Sequence, residues 1–336
     1  FMKNRQQGFT LIEIILSLSV GLVLFAGIMS VFVGMRTTTQ ETNSLGALQE
    51  NGRFALSVLT EELMRQNFRG DLFGQLDSST TRGIGLPAFP IAGDCVGEGF
   101  NNATFPQAGI GSFKTLWGIT VSAGNPNPVN CINDARVNSD IIMLKRVFTD
   151  PLPPQADGTP SNPADDRYWF NANKERVVFF PGTLAVPDIN MSRLWEYQHH
   201  VYYVRDEAQG GNTVPVLMQG TLSNGGANLI NFQPLIEGVE VIHFMYGVDS
   251  TDDGIVNAYV SAREMSDNNY WNTSEVIIKA VKVYVLARDN LPDNDYRNTN
   301  TYLLGDLEVV SDDNYRRLLL VSTVTLHNSG FEAWLN

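Results

Sequence analysis

The stretch GFTLIEIILSLSVGLVLFAGIMSVFVGM, Gly8 to Met35, carries one charged residue, Glu13, near its head. From Ile14 to Met35 no residue is charged. As a helix this run extends about 33 Å at ~1.5 Å per residue, enough to cross a bilayer core. A secretory signal has a shorter apolar region followed by a small-residue cleavage site. Here the run is too long, and no such site precedes Thr37–Thr39. A plain signal anchor satisfies the hydropathy but leaves the acid without a reason. A carboxylate at the membrane centre costs ~2.5–3.5 kcal/mol, less near a helix end, where it can face the aqueous side.

Working outward, Lys3 and Arg5 precede the run and by the positive-inside tendency stay cytoplasmic, so the remainder lies across the membrane. The chain has 336 residues and a net charge of −13; residues 1–69 carry six basic and five acidic side chains, so residues 70–336 hold 17 basic against 31 acidic, a net −14. Such a surface repels phosphate backbones and anionic lipid, which excludes non-specific nucleic-acid binding by the bulk of the chain. Local basic spots such as Arg316–Arg317 remain. The two cysteines, Cys95 and Cys131, both fall in the exported part, where an oxidising compartment lets them pair. Two unrelated buried thiols are the alternative.

The residues GFTLIE, Gly8 to Glu13, resemble the prepilin signature of type IV pilins and type II secretion pseudopilins. The resemblance implies removal of a short leader (1–8) by a prepilin peptidase cutting between Gly8 and Phe9. N-methylation of Phe9 follows, and Glu13 becomes an assembly charge. The new α-ammonium offers the acid a counter-ion, since a carboxylate in low dielectric is tolerable beside a cation. That cation belongs either to a neighbouring subunit or to Phe9 of the same helix, at i, i+4. Ala26, Ser30 and Gly34 recur every four positions, as close helix approach requires and as membrane helices commonly show.

Past the membrane span (9–35), a 3.6-residue stripe of Leu45, Leu48, Ala55, Leu56, Leu59 and Leu63 predicts an amphipathic continuation over 36–69. Gly70 suits a left-handed cap, and Gly46 and Gly52 are weak points of about 1 kcal/mol each. Residues 70–139 are rich in Gly, Asn, Pro and Ser and read as loop. Alternating, β-branched runs then predict antiparallel strands at 140–148, 176–180, 199–205, 214–220, 239–248, 275–288 and 317–326. The segment 150–166 reads as an exposed loop within the domain. LIEGVEVIHFMYGVDSTDDG (Leu235–Gly254), VIIKAVKVYVLAR and YRRLLLVSTVTLHN (Tyr315–Asn328) resemble the C-terminal half of PilW-type minor pilins. The fold class is therefore α+β and type IV pilin-like: one long N-terminal helix packed on an antiparallel β-sheet domain (70–336) with long loops.

No catalytic motif appears, and no enzymatic activity is expected. His199, His200, His243 and His327 lie in predicted strands without ligand spacing, so packed histidines are favoured over zinc. YWF (Tyr168–Phe170) and YYV (Tyr202–Val204) read as core, with an adhesive face as the alternative. DSTDDGIVN places Asp249, Thr251 and Asp253 at alternate positions before Gly254, with Ile255 and Asn257 following. This resembles part of an EF-hand-type Ca²⁺ loop, although Val260 stands where the bidentate Glu belongs. A plain hairpin turn competes with it, and no cofactor is required.

The PilW resemblance implies a minor pilin that primes or caps type IV pilus assembly and supports motility, adhesion or DNA uptake. It implies residence in the bacterial inner membrane, a periplasmic C-terminal domain and passage into the fibre, at its tip. The implied partners are other minor pilins, the major pilin, the inner-membrane assembly platform, the prepilin peptidase and a tip adhesin. A GspJ-like type II secretion pseudopilin is the nearest alternative. A membrane-anchored periplasmic enzyme or receptor is the next.

Overall fold

The computed structural model describes residues 8–74, 76, 80–156, 159, 161–226, 228–273 and 275–328. The leader residues 1–7, with Lys3 and Arg5, lie outside them. The chain divides into two compact units, Phe1–Ala47 and Leu48–Asn336, and helix α1 (Leu11–Arg65) runs through both stretches of sequence.

In the first unit α1 is apolar, with a mean hydropathy of 2.5 over its most hydrophobic window and none of that window buried. It is long and apolar enough to cross a membrane, which accounts for leaving Leu22, Phe25 and Phe32 exposed. Ser17 and Ser19 donate their hydroxyls to the carbonyls of Ile14 and Ile15, so neither leaves an unpaired donor in an apolar run.

In the second unit the helix presents Leu48, Ala55, Leu59 and Leu63 to the core, all 3% exposed or less. The stripe is the one its spacing predicts, except that Leu45 is exposed and Leu56 only half-buried. Gly52 has a packing role: a Cβ there would overlap Leu320 Cδ1 and lie 3.3 Å from the Ala287 Cβ. The helix ends at Arg65. Asn67, not Gly70, takes the first left-handed position (φ 56°), and its amide N–H donates to the Lys145 carbonyl. Gly70 is left-handed as well, and the Trp195 ring occupies the place of a side chain there.

The strands are β1 (Thr81–Gly83), β2 (Leu116–Thr120), β3 (Asp140–Val147), β4 (Tyr168–Ala172), β5 (Val177–Pro181), β6 (Arg193–Gln209), β7 (Asn212–Leu222), β8 (Ile230–Glu237), β9 (Val239–Asp249), β10 (Ala258–Ser261), β11 (Ile277–Arg288), β12 (Thr301–Leu304), β13 (Leu307–Val310) and β14 (Arg317–Thr325), with a short helix α2 (Ala262–Asp267) after β10. Eight of them form one sheet in the order β1-β5-β4-β6-β3-β2, with β7 pairing β6 and β8. Among the described residues only the β1–β5 pairing is parallel. A second, antiparallel sheet runs β10-β9-β11-β14, and β12–β13 is a separate hairpin.

One core joins both sheets to the helix, with Leu59, Trp117, Phe170, Tyr202, Phe244 and Val283 among its members. Each such side chain contributes roughly 1.5–3 kcal/mol on burial. Of the aromatic runs of β4 and β6, Tyr168, Phe170, Tyr202 and Tyr203 are buried in this core, while Trp169 is buried in a separate small cluster with Phe180 and Leu194. The loop reading of 70–139 holds for most of its length but misses β1 and β2. Its Gly93–Phe113 segment is pinned by Asn101, whose side chain accepts from the Gln107 amide and donates to the Gly111 carbonyl. Phe105 is thereby fully buried among Tyr168, Phe179 and Tyr197.

Candidate functional site

At the head of α1, Gly8 and Phe9 precede the helix, and Phe9 is 84% exposed. Thr10 is the N-cap. Its backbone N–H and its hydroxyl both donate to Glu13 Oε2, at 2.9 and 2.8 Å, and its Oγ1 lies 3.4 Å from the Glu13 amide. This is a capping box, the T-x-x-E spelling of a helix start. It gives the acid a local partner in addition to the two cations weighed from sequence. Both strong bonds fall on Oε2, and Oε1 accepts none from the described residues. The same carboxylate can therefore close the helix end and still receive a cation.

Cys95 and Cys131 are joined by a disulfide, with 4.9 Å between their Cα atoms. It ties the glycine-rich segment to the stretch before β3.

In the structure Asp249–Asn257 forms the hairpin turn between β9 and β10. Asp249 Oδ1 accepts from the Thr251 amide (3.1 Å) and its Oδ2 from the Gly254 amide (2.8 Å). Asp253 caps the Ile255 amide, and Asn257 Oδ1 accepts from Ser250 N. Burial alone would raise the Asp249 carboxyl, but the amides of Gly254, Thr251, Asp252 and Asp253 hold it below its usual range. Both Asp249 oxygens thus accept from the loop's own backbone, and the Ile255 side chain is exposed. Among the described residues, no group of three or more His, Cys, Asp or Glu could hold a metal ion.

His199, His200 and His243 serve packing and charge pairing, whereas His327 lies beyond β14 in a turn and is exposed, not in a strand as its neighbours suggested. His199 is fully buried and its Nδ1 lies 2.8 Å from Thr104 Oγ1. That hydroxyl donates to Asp94, so the ring nitrogen is the donor toward it. His200 Nδ1 lies 2.8 Å from Glu62, which also accepts from Arg146. Burial works against the charged form of Glu62, yet His200 and Arg146 outweigh it and bring the carboxyl down to about 2. His243 spans two carboxylates, Nδ1 3.0 Å from Asp140 and Nε2 2.9 Å from Asp306. Burial disfavours the charged ring, but the two acids hold His243 above its usual range. A further acid, Glu240 on β9, is nearly inaccessible and is met by Arg317, Arg136 and Arg288. None of these pairs has a local sequence signature. The capping box does have one, T-x-x-E before an apolar run, which sequence reasoning passed over.

An apolar, capped N-terminal helix and an antiparallel domain packed on the helix continuation define a pilin-like α+β chain. Residues 3–29 match the prokaryotic N-terminal methylation motif, and residues 201–328 match the family described as Type IV Pilus-assembly protein W. The second match runs from the middle of β6 through β14. Comparison with curated proteins and with solved structures gave no match. Over these two stretches the chain is similar to type IV pilus-assembly proteins and to proteins carrying the prokaryotic methylation motif. The methylation motif and the apolar helix fit a membrane-anchored pilin.

Proposed function

We propose that this chain is a minor pilin that primes or caps a type IV pilus and performs no catalysis of its own. It is made with leader 1–8, cleaved between Gly8 and Phe9, and methylated at Phe9. Phe9–Met35 holds it in the inner membrane with the β-rich domain in the periplasm, until the assembly platform draws it into the fibre. At the tip it joins other minor pilins and the major pilin, and the pilus then serves motility, adhesion or DNA uptake. The observation that carries this reading is the coincidence of a methylation motif at the head of an apolar helix with a PilW match at the other end of the chain.

Glu13 is the assembly charge in this reading. Its free Oε1 receives the ammonium of a Phe9, while Oε2 stays with Thr10. The test is recovery of the chain from sheared surface fibres. The mature form beginning at methylated Phe9 is expected there. Finding it in the membrane fraction alone, with Met2–Gly8 still attached, overturns the proposal. A secretion pseudopilin shares the N-terminal chemistry, and loss of enzyme secretion with pili intact in a deletion strain would select that alternative.

A further inference from the structure

Lys145 stands on β3 with its side chain in the interior, 1% exposed. Among the described residues no carboxylate reaches it as an ion pair. Its Nζ donates instead to three oxygens: the Asn102 carbonyl at 3.0 Å, the Lys114 carbonyl at 2.9 Å and Asn102 Oδ1 at 3.3 Å. The Phe113 ring covers it, with Nζ 4.9 Å from the centroid. Asn102 is equally buried, at 1% exposure, and its Nδ2 finds no acceptor among the described residues. A buried ammonium without a counter-ion and a buried amide with an idle NH₂ are each costly by themselves. Here they stand against each other.

We propose that Lys145 and Asn102 are joined by an amide bond between Nζ and Cγ, formed within the folded chain with release of ammonia. The neutral amine attacks Asn102 Cγ, and the carbonyl electron pair moves to Oδ1. The tetrahedral adduct collapses, the Cγ–Nδ2 bond breaks, and Nδ2 leaves as ammonia with the proton that Nζ gives up. No oxidant or further reactant enters, and the atoms balance. The two carbonyls that hold Nζ set the approach, which is the proximity a slow aminolysis requires. The amine form is accessible near neutrality: burial, together with Lys114, brings Lys145 down to about 7, against an opposing pull from Asp94. Asp94 is already held by Thr104 and takes no part in the step. A crevice beside Lys145 shares Arg69, Leu76, Phe113 and Thr115 with a more open cavity of about 180 Å³, which gives ammonia a way out.

The bond removes both penalties at once, because the linked amide keeps one N–H for a carbonyl and has no NH₂. It also ties the Gly93–Phe113 segment, already held by Cys95–Cys131, directly to β3. Two covalent ties on one loop suit a domain that must stay folded when its chain is pulled.

Peptide mapping of the reduced, denatured full-length chain decides the matter. The expected result is one branched tryptic species carrying Asn102 and Lys145, with cleavage after Lys145 abolished. Its mass should be lower by one ammonia than that of its two parts. Recovery of the two peptides separately at full mass from wild-type protein overturns the proposal. Ammonia loss at Asn102 that persists in Lys145→Met overturns it as well, because it then reflects cyclisation of Asn102 by itself.

Discussion

Glu62 on α1 and Arg146 on β3 meet in the interior of the globular unit, Oε1 2.9 Å from Nη2, and His200 Nδ1 lies 2.8 Å from the other carboxylate oxygen. The folded carboxyl at about 2 lies below its ordinary 4.5, so its stabilisation is complete above about 4.5 and is lost as pH falls toward 2. Acid unfolding of the domain should therefore steepen in that window, with Glu62 supplying up to roughly 3 kcal/mol. In Glu62→Gln the slope should flatten, and stability at neutral pH should drop by about 3–5 kcal/mol because Arg146 is left buried and unpaired. Circular dichroism against pH, with denaturant titration at pH 7, reads both. An unchanged acid profile in Glu62→Gln would remove this pair from the account.

Gly52 permits close packing of α1 on Leu320 and Ala287. Gly52→Val should destabilise the domain by about 1–3 kcal/mol through overpacking, despite its better helix propensity. Gly46→Val is the matched control, because a Cβ there meets nothing within 4 Å. Equal thermal midpoints for the two variants would show that Gly52 is a weak point of the helix and not a packing requirement.

The Cys95–Cys131 loop encloses 36 residues of separation. On the chain-entropy model its closure is worth about 3–4 kcal/mol, less where the Asn101 contacts already order the segment. A Cys95→Ser/Cys131→Ser variant should lose that stability in a denaturant titration and gain proteolytic sites within 93–113. Thiol labelling of the unreduced, denatured wild-type domain would contradict the pairing.

Thr10 and Glu13 let local capping be separated from assembly. Thr10→Ala removes the cap at a cost of about 1 kcal/mol but keeps the charge. Glu13→Gln keeps a capping-competent side chain and removes the charge. Both should insert and be cleaved. Glu13→Gln should be depleted from fibres severalfold, and Thr10→Ala should enter them nearly as well as wild type. Quantitative immunoblotting of sheared fibres measures this. Wild-type incorporation of Glu13→Gln would confine the acid to its cap.

What the sequence made legible follows from how local each signal is. Strands β3, β9, β11 and β14 announce themselves through β-branched runs, and the stripe from Leu48 to Leu63 names the buried helix face. Strand β8 hides because Pro234 argues against a strand, yet it sits on the sheet edge where a missing donor is tolerated. Strand β4 is five residues between loops, too short for alternation to register. The Asp249–Gly254 spacing fits a calcium loop and an amide-capped turn equally, since both need oxygens at alternate positions. Charge pairs such as Glu62 with His200, 138 residues apart, leave no trace in any sequence window. Lys145 is likewise indistinguishable from a surface lysine until its surroundings are known.

The central claim, that this chain works by entering and initiating a pilus, is tested most directly by counting surface fibres in a deletion strain. The strain is complemented with wild type or with Gly8→Leu, which blocks leader removal. The account predicts few or no fibres in the deletion, full recovery with wild type and none with Gly8→Leu. Normal fibre numbers in the deletion strain, or recovery with the uncleaved variant, would contradict it.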